Sequence, residues 1–506
     1  MCKINLLPFI LWCCTSQVIL GAEYFQIRVV DAETERGVPL VELQTVNQIK
    51  YVTDSNGIAA INEPGLMNQE VYFHVRSHGY EFPQDGFGYA GKKLKVTPGG
   101  KVVLKLRRIN LAERLYRVTG AGIYRDSLLT GEPVPLKKPV LNAQVLGSDS
   151  VQNTVFRGRV YWFWGDTNRL GYPLGNFHVP GAVSDLPGKG GLSIERGVDL
   201  YYFLDDSGFA KKTCEMPGEG PTWIDGLITL KDESGKERLF AKYVKVKGPL
   251  TVYERGLVEF NADQNRFEKQ TTFDFAAPLY PEGHPVTHRM GGREFILFGL
   301  EAPLIRVPAT PESLARLSDY ETYTYLKPGN DSSKWSVDRD AQGKLKYGWR
   351  KMVPPLSYEL EQKLKKQKLL GTDEGFFDLR DLQTKQRIQI HNSSVAWNDY
   401  RGKWTMIALQ KFGTSVLGEI WYSEAESPLG PWKWARKIVT HDRYSFYNPK
   451  QHPMFARDKG RLIYFEGTYT TLFSGNKEKT PRYDYNQIMY QLNLSDPRLA
   501  AELFEQ

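Results

Sequence analysis

Short apolar runs separated by turn residues recur along most of this chain. In residues 24–107, runs such as Tyr24-Phe-Gln-Ile-Arg-Val-Val and Val71-Tyr-Phe-His-Val alternate roughly between apolar and polar positions. Asp-Ser-Asn-Gly, Pro-Gly and Pro-Gly-Gly separate these runs. A period of two interrupted by Gly, Pro and Asn is typical of short β-strands joined by tight turns. We therefore predict an all-β protein whose first domain, residues 23–107, is a small β-sandwich.

A second pattern recurs from about residue 115 to the C-terminus. Each copy has a polar residue, a few mostly apolar residues, a turn with Gly or Asn, and then an apolar strand. The copies begin at Asp149, Asp225, His284, His391 and His452, at separations of 76, 59, 107 and 61 residues. Irregular spacing fits propeller blades with different insertions better than a strict solenoid.

This second pattern predicts a five-bladed β-propeller over residues 141–506. Residues 108–140, with the Pro-rich stretch that ends at Pro139, are predicted to be the linker between the two domains. The longest separation contains a charged helical stretch that begins at Tyr358, which we predict to be a surface helix inserted between the third and fourth blades.

The first strand of each propeller blade lines the central channel, so the starts of the five copies should meet there. They supply two carboxylates and three imidazoles. We predict that Asp225, His284, His391 and His452 bind substrate, together with Glu466 at a later strand end. The alternative is that each of them is a local turn or hydrogen-bonding residue.

A metal ion is a further alternative for the three histidines. His284, His391 and His452 come from separate blades and could together hold a divalent cation such as Ca²⁺ on the axis. They lack the short ligand spacing of zinc motifs. No cofactor is therefore predicted to be required.

The first copy brings two aspartates together across a turn. A two-residue turn at Arg157-Gly158 pairs residues whose numbers sum to 315, and Asp149 and Asp166 have that sum. Their Cβ atoms should then lie about 4.5–5.5 Å apart on one face of the sheet. Like charges at that distance are unfavourable, so the functional interpretation is a carboxylate pair for glycosidic-bond hydrolysis. The alternative is one turn-capping aspartate and one solvated surface group.

Length, charge and the N-terminus limit the function classes. The net charge of +8 on 506 residues is mild, and the basic residues alternate with acids, which argues against a nucleic-acid partner. Lys3, an apolar run and Gly21-Ala22 have the form of a secretory signal, so we predict cleavage after Ala22 and a secreted or periplasmic protein. No later apolar run reaches membrane-spanning length. The mature chain would keep only Cys214, and hence no disulfide.

The motifs around the two aspartates resemble those of a known group. Gly147-Ser-Asp149 and Trp164-Gly-Asp166-Thr resemble the paired-aspartate signature of bacterial propeller glycoside hydrolases that include endo-D-arabinanases. The segment Trp421-Tyr-Ser-Glu-Ala-Glu-Ser-Pro-Leu-Gly-Pro-Trp432 is similar to an outer-strand phrase of five-bladed glycosidases. This resemblance implies that Asp149 and Asp166 are catalytic. Residues 24–107 resemble the carboxypeptidase-regulatory, transthyretin-like modules fused to secreted bacterial enzymes.

The wider superfamily of five-bladed glycosidases implies a second assignment of roles. There an early-blade Asp acts as base, a second Asp tunes it, and a Glu from a middle blade acts as acid. Asp149 and Asp225 match the first two roles by blade position, and the candidates for the acid are Glu282, Glu301 and Glu466.

These observations predict a glycoside hydrolase that acts on a polysaccharide or its oligosaccharides. Cross-strand aspartates would hold their carboxyl groups near the roughly 5–5.5 Å separation of retaining enzymes, so we predict retention. One alternative is a polysaccharide lyase, in which His284, His391 or Tyr469 takes a proton next to a uronate. Another is a non-catalytic carbohydrate-binding propeller with Trp and Tyr platforms.

Overall fold

The computed structural model describes residues 23–328 and 335–504. The predicted signal peptide, residues 1–22, lies outside the described residues. Strands make up most of the regular structure in these ranges, so the predicted all-β class is confirmed. None of the helices within them has both the length and the apolar character needed to cross a membrane.

The first part of the chain forms two four-stranded sheets that share one apolar core. Its strands are β1 (Phe25–Asp31), β2 (Glu42–Thr45), β3 (Lys50–Val52), β4 (Ile58–Ile61), β5 (Glu70–Arg76), β6 (Tyr80–Glu81), β7 (Gly91–Lys95) and β8 (Lys101–Arg108). One sheet has the order β4-β1-β8-β6 and the other β3-β2-β5-β7. β5 shows why these segments are strands, because its buried residues alternate with less buried ones. Ile27, Leu43 and Phe73 are among the residues that fill the shared core.

The next segment supplies one strand, one short helix and the first of five sheets of four or five strands, which are numbered I to V in chain order. Its elements are β9 (Glu113–Arg117), α1 (Arg125–Leu129), β10 (Val145–Ser148), β11 (Gln152–Phe156), β12 (Arg159–Phe163), β13 (Thr167–Arg169), β14 (Tyr172–Asn176), β15 (Gly181–Ser184) and β16 (Tyr201–Tyr202). Sheet I has the order β11-β12-β15-β16, and β10-β13-β14 form a small sheet at its end.

Sheets II and III follow in chain order. Their elements are β17 (Thr222–Lys231), β18 (Glu237–Lys247), β19 (Thr251–Asn261), β20 (Arg266–Thr272), β21 (Val286–Met290), β22 (Arg293–Phe298), β23 (Ile305–Pro308), α2 (Pro311–Ala315), β24 (Glu321–Thr324), β25 (Leu326–Pro328), β26 (Trp335–Val337) and β27 (Gly348–Arg350). Sheet II has the order β17-β18-β19-β20, and sheet III the order β21-β22-β23-β24-β27. β25 and β26 pair separately.

Sheets IV and V complete the described chain. Their elements are α3 (Tyr358–Lys366), β28 (Arg380–Asp381), β29 (Ile390–Asn398), β30 (Lys403–Gln410), β31 (Ile420–Ala425), β32 (Trp434–Val439), β33 (Ser445–Gln451), β34 (Leu462–Thr470) and β35 (Asn486–Asn493). Sheet IV has the order β28-β32-β31-β30-β29, and sheet V the order β33-β34-β35-β9. The predicted inserted helix is present as α3, with Ser357 as its N-cap. Short 3₁₀ helices lie at Leu317–Asp319, Pro453–Phe455, Asp458–Gly460, Pro497–Leu499 and Ala501–Leu503.

Apolar clusters join each of the five larger sheets to the next. Phe163 of sheet I and Leu239 of sheet II lie in one cluster, and Phe240 of sheet II and Ile296 of sheet III lie in another. A third cluster joins sheets III and IV, and a fourth joins sheets IV and V. A further cluster packs Trp162 of sheet I against residues of sheet V. The last sheet therefore packs on the first as well as on its predecessor.

Two expectations about the order of elements differ from the structure. Residues 108–140 do more than connect, because β9 lies in this segment and pairs antiparallel with β35 at the edge of sheet V. The sequence pattern predicts that the first strand of the last copy begins at His452. That strand is β33, which ends just before His452, and a 3₁₀ helix follows because Pro453 cannot continue the ladder.

Candidate active site

The first strands of sheets I, II, IV and V line a cavity of about 340 Å³, together with residues just before β21 and after β22 of sheet III. The starts of the five sheets therefore converge, as predicted. The lining residues are Asp149, Ser150, Gln152, Gly165, Trp223, Ile224, Asp225, Lys242, Val244, Gly283, His284, Leu300, Asn392, Ser393 and Asn448.

The hairpin of sheet I has the register expected from its sequence. β11 and β12 pair so that residue numbers sum to 315, as in Phe156 with Arg159. Arg157 and Gly158 both have positive φ, as a two-residue turn between twisted strands requires. The pairing continues beyond the strands, where the amide of Asp149 donates to the carbonyl of Asp166 over 3.2 Å. Asp149 and Asp166 are therefore opposite each other, as predicted.

Asp149 accepts hydrogen bonds from two tyrosine hydroxyls, one on β33 of sheet V and one in the connection between β34 and β35. Its Oδ2 accepts from the Tyr447 hydroxyl at 2.6 Å and from the Tyr485 hydroxyl at 2.9 Å. Gly165 is required beside it, because a Cβ at that position would lie 2.1 Å from Asp149 Oδ1. Burial raises the pKa of Asp149, and the two phenol donors oppose that rise.

Asp166 has one side-chain donor, and the charge of Asp149 adds to the effect of burial on its pKa. Its Oδ1 accepts from the indole N–H of Trp223 on β17, at 2.7 Å. Burial and then the negative charge of Asp149 raise the pKa of Asp166 to about 7. Near neutral pH the pair can therefore hold one proton, and Asp166 carries it because Asp149 has the better donors.

Asp225 is a link between sheets as well as part of the cavity wall. Its Oδ1 accepts from Gln152 Nε2 at 3.3 Å and from the amide of Gly226 at 2.9 Å. Its Oδ2 accepts from the amide of Gly283 at 2.8 Å and from Lys242 Nζ at 3.5 Å. These donors come from sheets I and II and from the segment before β21 of sheet III, so Asp225 connects the three at the cavity.

The three predicted histidines do not meet as one group. His284 lines the cavity, but His391 lies outside its wall. The register between β29 and β30 shifts because His391 is an extra residue between Ile390 and Asn392. This bulge places the His391 side chain on a different face from Asn392, which lines the cavity.

His452 and Glu466 also differ from the prediction that they contact substrate. Both are fully buried, and neither lines the cavity. Asn153 Nδ2 donates to His452 Nδ1 at 3.1 Å, and His452 Nε2 lies 3.6 Å from Glu466 Oε1. β34 is buried along nearly its whole length, which explains why a strand-end acid in the sequence becomes an interior one.

A lysine accompanies these buried groups. Lys450 on β33 pairs directly with Glu466 on β34, and it is 8% exposed. Burial lowers the pKa of Lys450 to about 8 and raises that of Glu466 to about 8. The positive charge of Lys450 also acts on His284 and His452. The Lys450 ammonium group therefore lies close to His284 and His452, two of the three residues that the sequence suggested as metal ligands.

In the described ranges, no group of three or more His, Cys, Asp or Glu side chains is placed to hold a metal ion. His284, His391 and His452 therefore do not form the suggested ligand set. A divalent cation such as Ca²⁺ on the axis stays a prediction.

Two other acids suggested by the sequence lie in different surroundings. Glu282 precedes Gly283 in the cavity wall, and burial together with the charge of Asp225 raises its pKa. Glu301 accepts the amide of Tyr358 at the start of α3, at 2.9 Å, and burial raises its pKa to about 7. Each acid is next in the chain to a lining residue, Glu282 to Gly283 and Glu301 to Leu300, but neither lines the cavity itself.

Sequence analysis missed several residues that shape the site. They are Tyr447, Tyr485, Trp223, Gln152, Lys242, Asn392, Asn448 and Lys450. Trp223 is two residues before Asp225 and so lies on the same face of β17, which was an available signal. The two tyrosines are 298 and 336 residues from Asp149 in the chain, and no local pattern relates them to it.

Comparisons with known proteins add little. A scan against protein-family models gives no match, and neither does a search of curated proteins. Among solved structures, an α-L-arabinofuranosidase from Fusarium graminearum aligns with 76% of this chain and 99% of its own, at 11% identity and a TM-score of 0.35.

Two further solved structures align at similar levels. An exo-1,5-α-L-arabinanase from a bovine ruminal metagenomic library covers 69% of this chain and 94% of its own, at 10% identity and a TM-score of 0.34. A GH43_1 enzyme from Xanthomonas citri covers 70% and 88%, at 10% identity and a TM-score of 0.33. At TM-scores and identities this low, such similarities assign neither a fold family nor an activity to this chain.

Proposed function

We propose that this protein is a secreted glycoside hydrolase built on a five-bladed β-propeller. The observation that carries the proposal is the pair Asp149 and Asp166, opposite each other beside a cavity where five sheets meet, with Asp149 in the cavity wall and the pKa of Asp166 raised to about 7. The five apolar clusters between successive sheets, including the last with the first, support the propeller. Two carboxyl groups in different protonation states are what glycosidic-bond cleavage needs.

Different surroundings divide the roles between the two aspartates. Asp149, with its two phenol donors, is the nucleophile, and Asp166 is the acid and base. In the first step an Asp149 oxygen bonds to the anomeric carbon as the glycosidic bond breaks, and Asp166 gives its proton to the leaving oxygen. In the second step a water oxygen attacks that carbon, the bond to Asp149 breaks, and Asp166 takes the proton of the water. This sequence retains the anomeric configuration.

A panel of plant, algal and bacterial polysaccharides tests the proposal. The expected result is release of reducing oligosaccharides from at least one polymer by the wild-type protein and not by Asp149→Asn. Proton NMR of the anomer first released should show retention. Products that absorb in the ultraviolet would indicate a lyase instead, and binding without any turnover would indicate a carbohydrate-binding protein.

An inverted first product has a defined meaning at this site. It would remove Asp166 from the acid role, because inversion needs carboxyl groups about 6.5–9.5 Å apart with a water between them. Glu282 would then be the acid to examine, since its carboxyl lies near Asp225 and has a raised pKa. Asp149 would serve as the base.

A further inference from the structure

The connection between β34 and β35, residues 471–485, brings one of the two Asp149 donors to the site from a mostly exposed stretch of chain. Residues 472–482 are exposed or half-buried, and Tyr483 is the first buried residue after them, at 3% exposure. Tyr485, two residues further on, donates its hydroxyl to Asp149 Oδ2 at 2.9 Å. The position of that hydroxyl therefore depends on how the end of this connection is held.

Tyr483 is anchored on the N-terminal sheets. Its hydroxyl donates to the carbonyl of Thr53 at 2.8 Å, and the Arg117 guanidinium lies over its ring, 4.9 Å from the centroid. Thr53 is itself fixed, because it is fully buried, its amide donates to the carbonyl of Val41 at 3.0 Å, and its hydroxyl donates to that of Val38 at 2.8 Å. The anchor point therefore belongs to a well-held part of the first domain.

The backbone on both sides of Tyr483 adopts an uncommon conformation. Arg482 and Tyr485 have φ angles of 63° and 65°, in the left-handed region that bulky residues rarely enter. Such conformations persist where the surrounding contacts impose them. A second contact with the first domain lies here, because Arg482 Nη1 donates to Asp126 Oδ2 at 3.4 Å and Asp126 Oδ1 accepts the amide of Ala60 on β4 at 3.3 Å.

Sheet V holds the other side of Tyr485. The amide of Tyr485 donates to the carbonyl of Tyr469 at 2.8 Å. Gly147 makes room for the Tyr485 carbonyl, since a Cβ at residue 147 would lie 2.3 Å from that oxygen. Without the Tyr483 anchor, the chain that enters Tyr485 can relax from its left-handed conformation, and rotation at that point swings the phenol away from Asp149.

We propose that Tyr483 is a positioning residue, through which the N-terminal sheets hold the Tyr485 hydroxyl on Asp149. The first domain is then a working part of the active site, although none of its residues lines the cavity. This inference rests on the proposed function in taking Asp149 as the nucleophile.

The protonation of Asp149 tests the inference without any turnover. Its titration midpoint is followed by ¹³C NMR in protein labelled at the aspartate carboxyl carbons, in an Asp166→Asn background so that the facing carboxyl does not titrate with it. The signal is assigned by its loss in Asp149→Asn. Because the Tyr485 hydrogen bond lowers the pKa of Asp149, the midpoint should rise in Tyr485→Phe and also in Tyr483→Phe.

Tyr320→Phe is the matched control for the loss of a buried hydroxyl. Tyr320 is 1% exposed, lies in the cluster between sheets II and III, and donates to the carbonyl of Leu314 at 2.7 Å. The Asp149 midpoint should not move in this variant. Arg482→Met, at an exposed position, removes the second contact and should move the midpoint upward, which keeps the inference testable where Tyr483→Phe does not fold. A midpoint that stays in place in the folded Tyr483 and Arg482 variants would overturn the inference.

A double-variant cycle separates positioning from a general structural role. Tyr483→Phe should lower kcat by at least about threefold with KM changed by less than about twofold, because a donor to a reacting group is misplaced. In a Tyr485→Phe background the same substitution should change kcat by less than about 1.5-fold, since its effect passes through the missing hydroxyl. Equal losses of kcat in the two backgrounds would contradict the proposed route.

The outcomes distinguish the two proposals. A raised Asp149 midpoint in Tyr483→Phe, in a protein whose wild type hydrolyses nothing, would end the proposed hydrolase and leave the positioning role standing. Hydrolysis by a protein whose midpoint is the same with and without the Tyr483 hydroxyl would do the reverse.

Discussion

Asp149 and Asp166 are identical side chains whose neighbours make them chemically different. Two phenols donate to Asp149, and one indole donates to Asp166. We expect Asp149→Asn and Asp166→Asn each to lower kcat by at least about 10³-fold, because each removes a carboxyl group needed in the transition state. Steady-state kinetics with circular dichroism as the folding control measures this. Near wild-type turnover in either variant would remove that residue from the pair.

The pH profile should follow the proton on Asp166. Its pKa of about 7 means that the acid form, needed in the first step, is lost as pH rises through 7. We expect kcat/KM to fall on that side, and to fall again at low pH as Asp149 becomes protonated. Trp223→Phe removes a hydrogen bond that lowers the Asp166 pKa, so the alkaline limb should move to higher pH. If the alkaline limb does not move in this variant, the limb does not arise from titration of Asp166.

Gly165 offers a steric test of the Asp149 position. A methyl group at this residue would meet Asp149 Oδ1 at 2.1 Å, and the two tyrosines oppose a shift of that carboxylate. Gly165→Ala should lower kcat by about 10-fold or more, because small misplacements of reacting groups are costly. Gly86→Ala, where a Cβ meets nothing within 4 Å, is the control. Equal activity in the two variants would show that Asp149 can move without consequence.

Among the structural elements, the bulged first strands decide which residues reach the cavity. The register shifts between Asp225 and Ile228 in sheet II and between Tyr447 and Lys450 in sheet V, as it does beside His391 in sheet IV. Gly226 and Asn448 have positive φ within two of these shifts, a conformation that glycine and asparagine tolerate. Each inserted residue changes which side chains of its strand face inward.

The facing strands β33 and β34 predict a coupling between Lys450 and Glu466. Lys450→Met removes the positive charge that lowers the pKa of Glu466, and Glu466→Gln removes a negative charge that raises the pKa of Lys450. Each should lower the free energy of unfolding by about 2 kcal/mol, and the double variant by less than the sum. Denaturant unfolding at constant pH measures the coupling. The exposed pair Lys93 and Glu70 is the control, and a coupling as small as theirs would contradict the prediction.

For the whole molecule, the N-terminal sheets are fastened to the part that carries the cavity. Arg114 on β9 is 1% exposed and donates to the carbonyls of Pro39 and His78 at 3.0 and 3.1 Å. Tyr483 donates to the carbonyl of Thr53, and Leu40 packs in the cluster between sheets IV and V. β9 therefore connects both parts, because its backbone pairs with β35 while the Arg114 side chain binds the N-terminal part.

Arg114→Met tests this connection. The loss leaves two buried carbonyls without donors, so we expect the free energy of unfolding to fall by about 3 kcal/mol. Hydrogen exchange should quicken both in β9 and around His78. Arg107→Met, which removes an exposed ion pair with Glu81, should change stability by less than about 1 kcal/mol. Similar stability losses in the two variants would show that Arg114 does not fasten the parts together.

The sequence by itself determined the all-β class and the pairing of Asp149 with Asp166. Alternating positions and a two-residue turn are local features, and counting across the turn fixes which residues face each other. Tertiary structure alone decided that His452 and Glu466 are interior, that Asn392 takes the place expected for His391, and that Tyr447 and Tyr485 hold Asp149. Bulges shift side chains by one residue, and packing between sheets joins residues hundreds of positions apart, so no local pattern contains either.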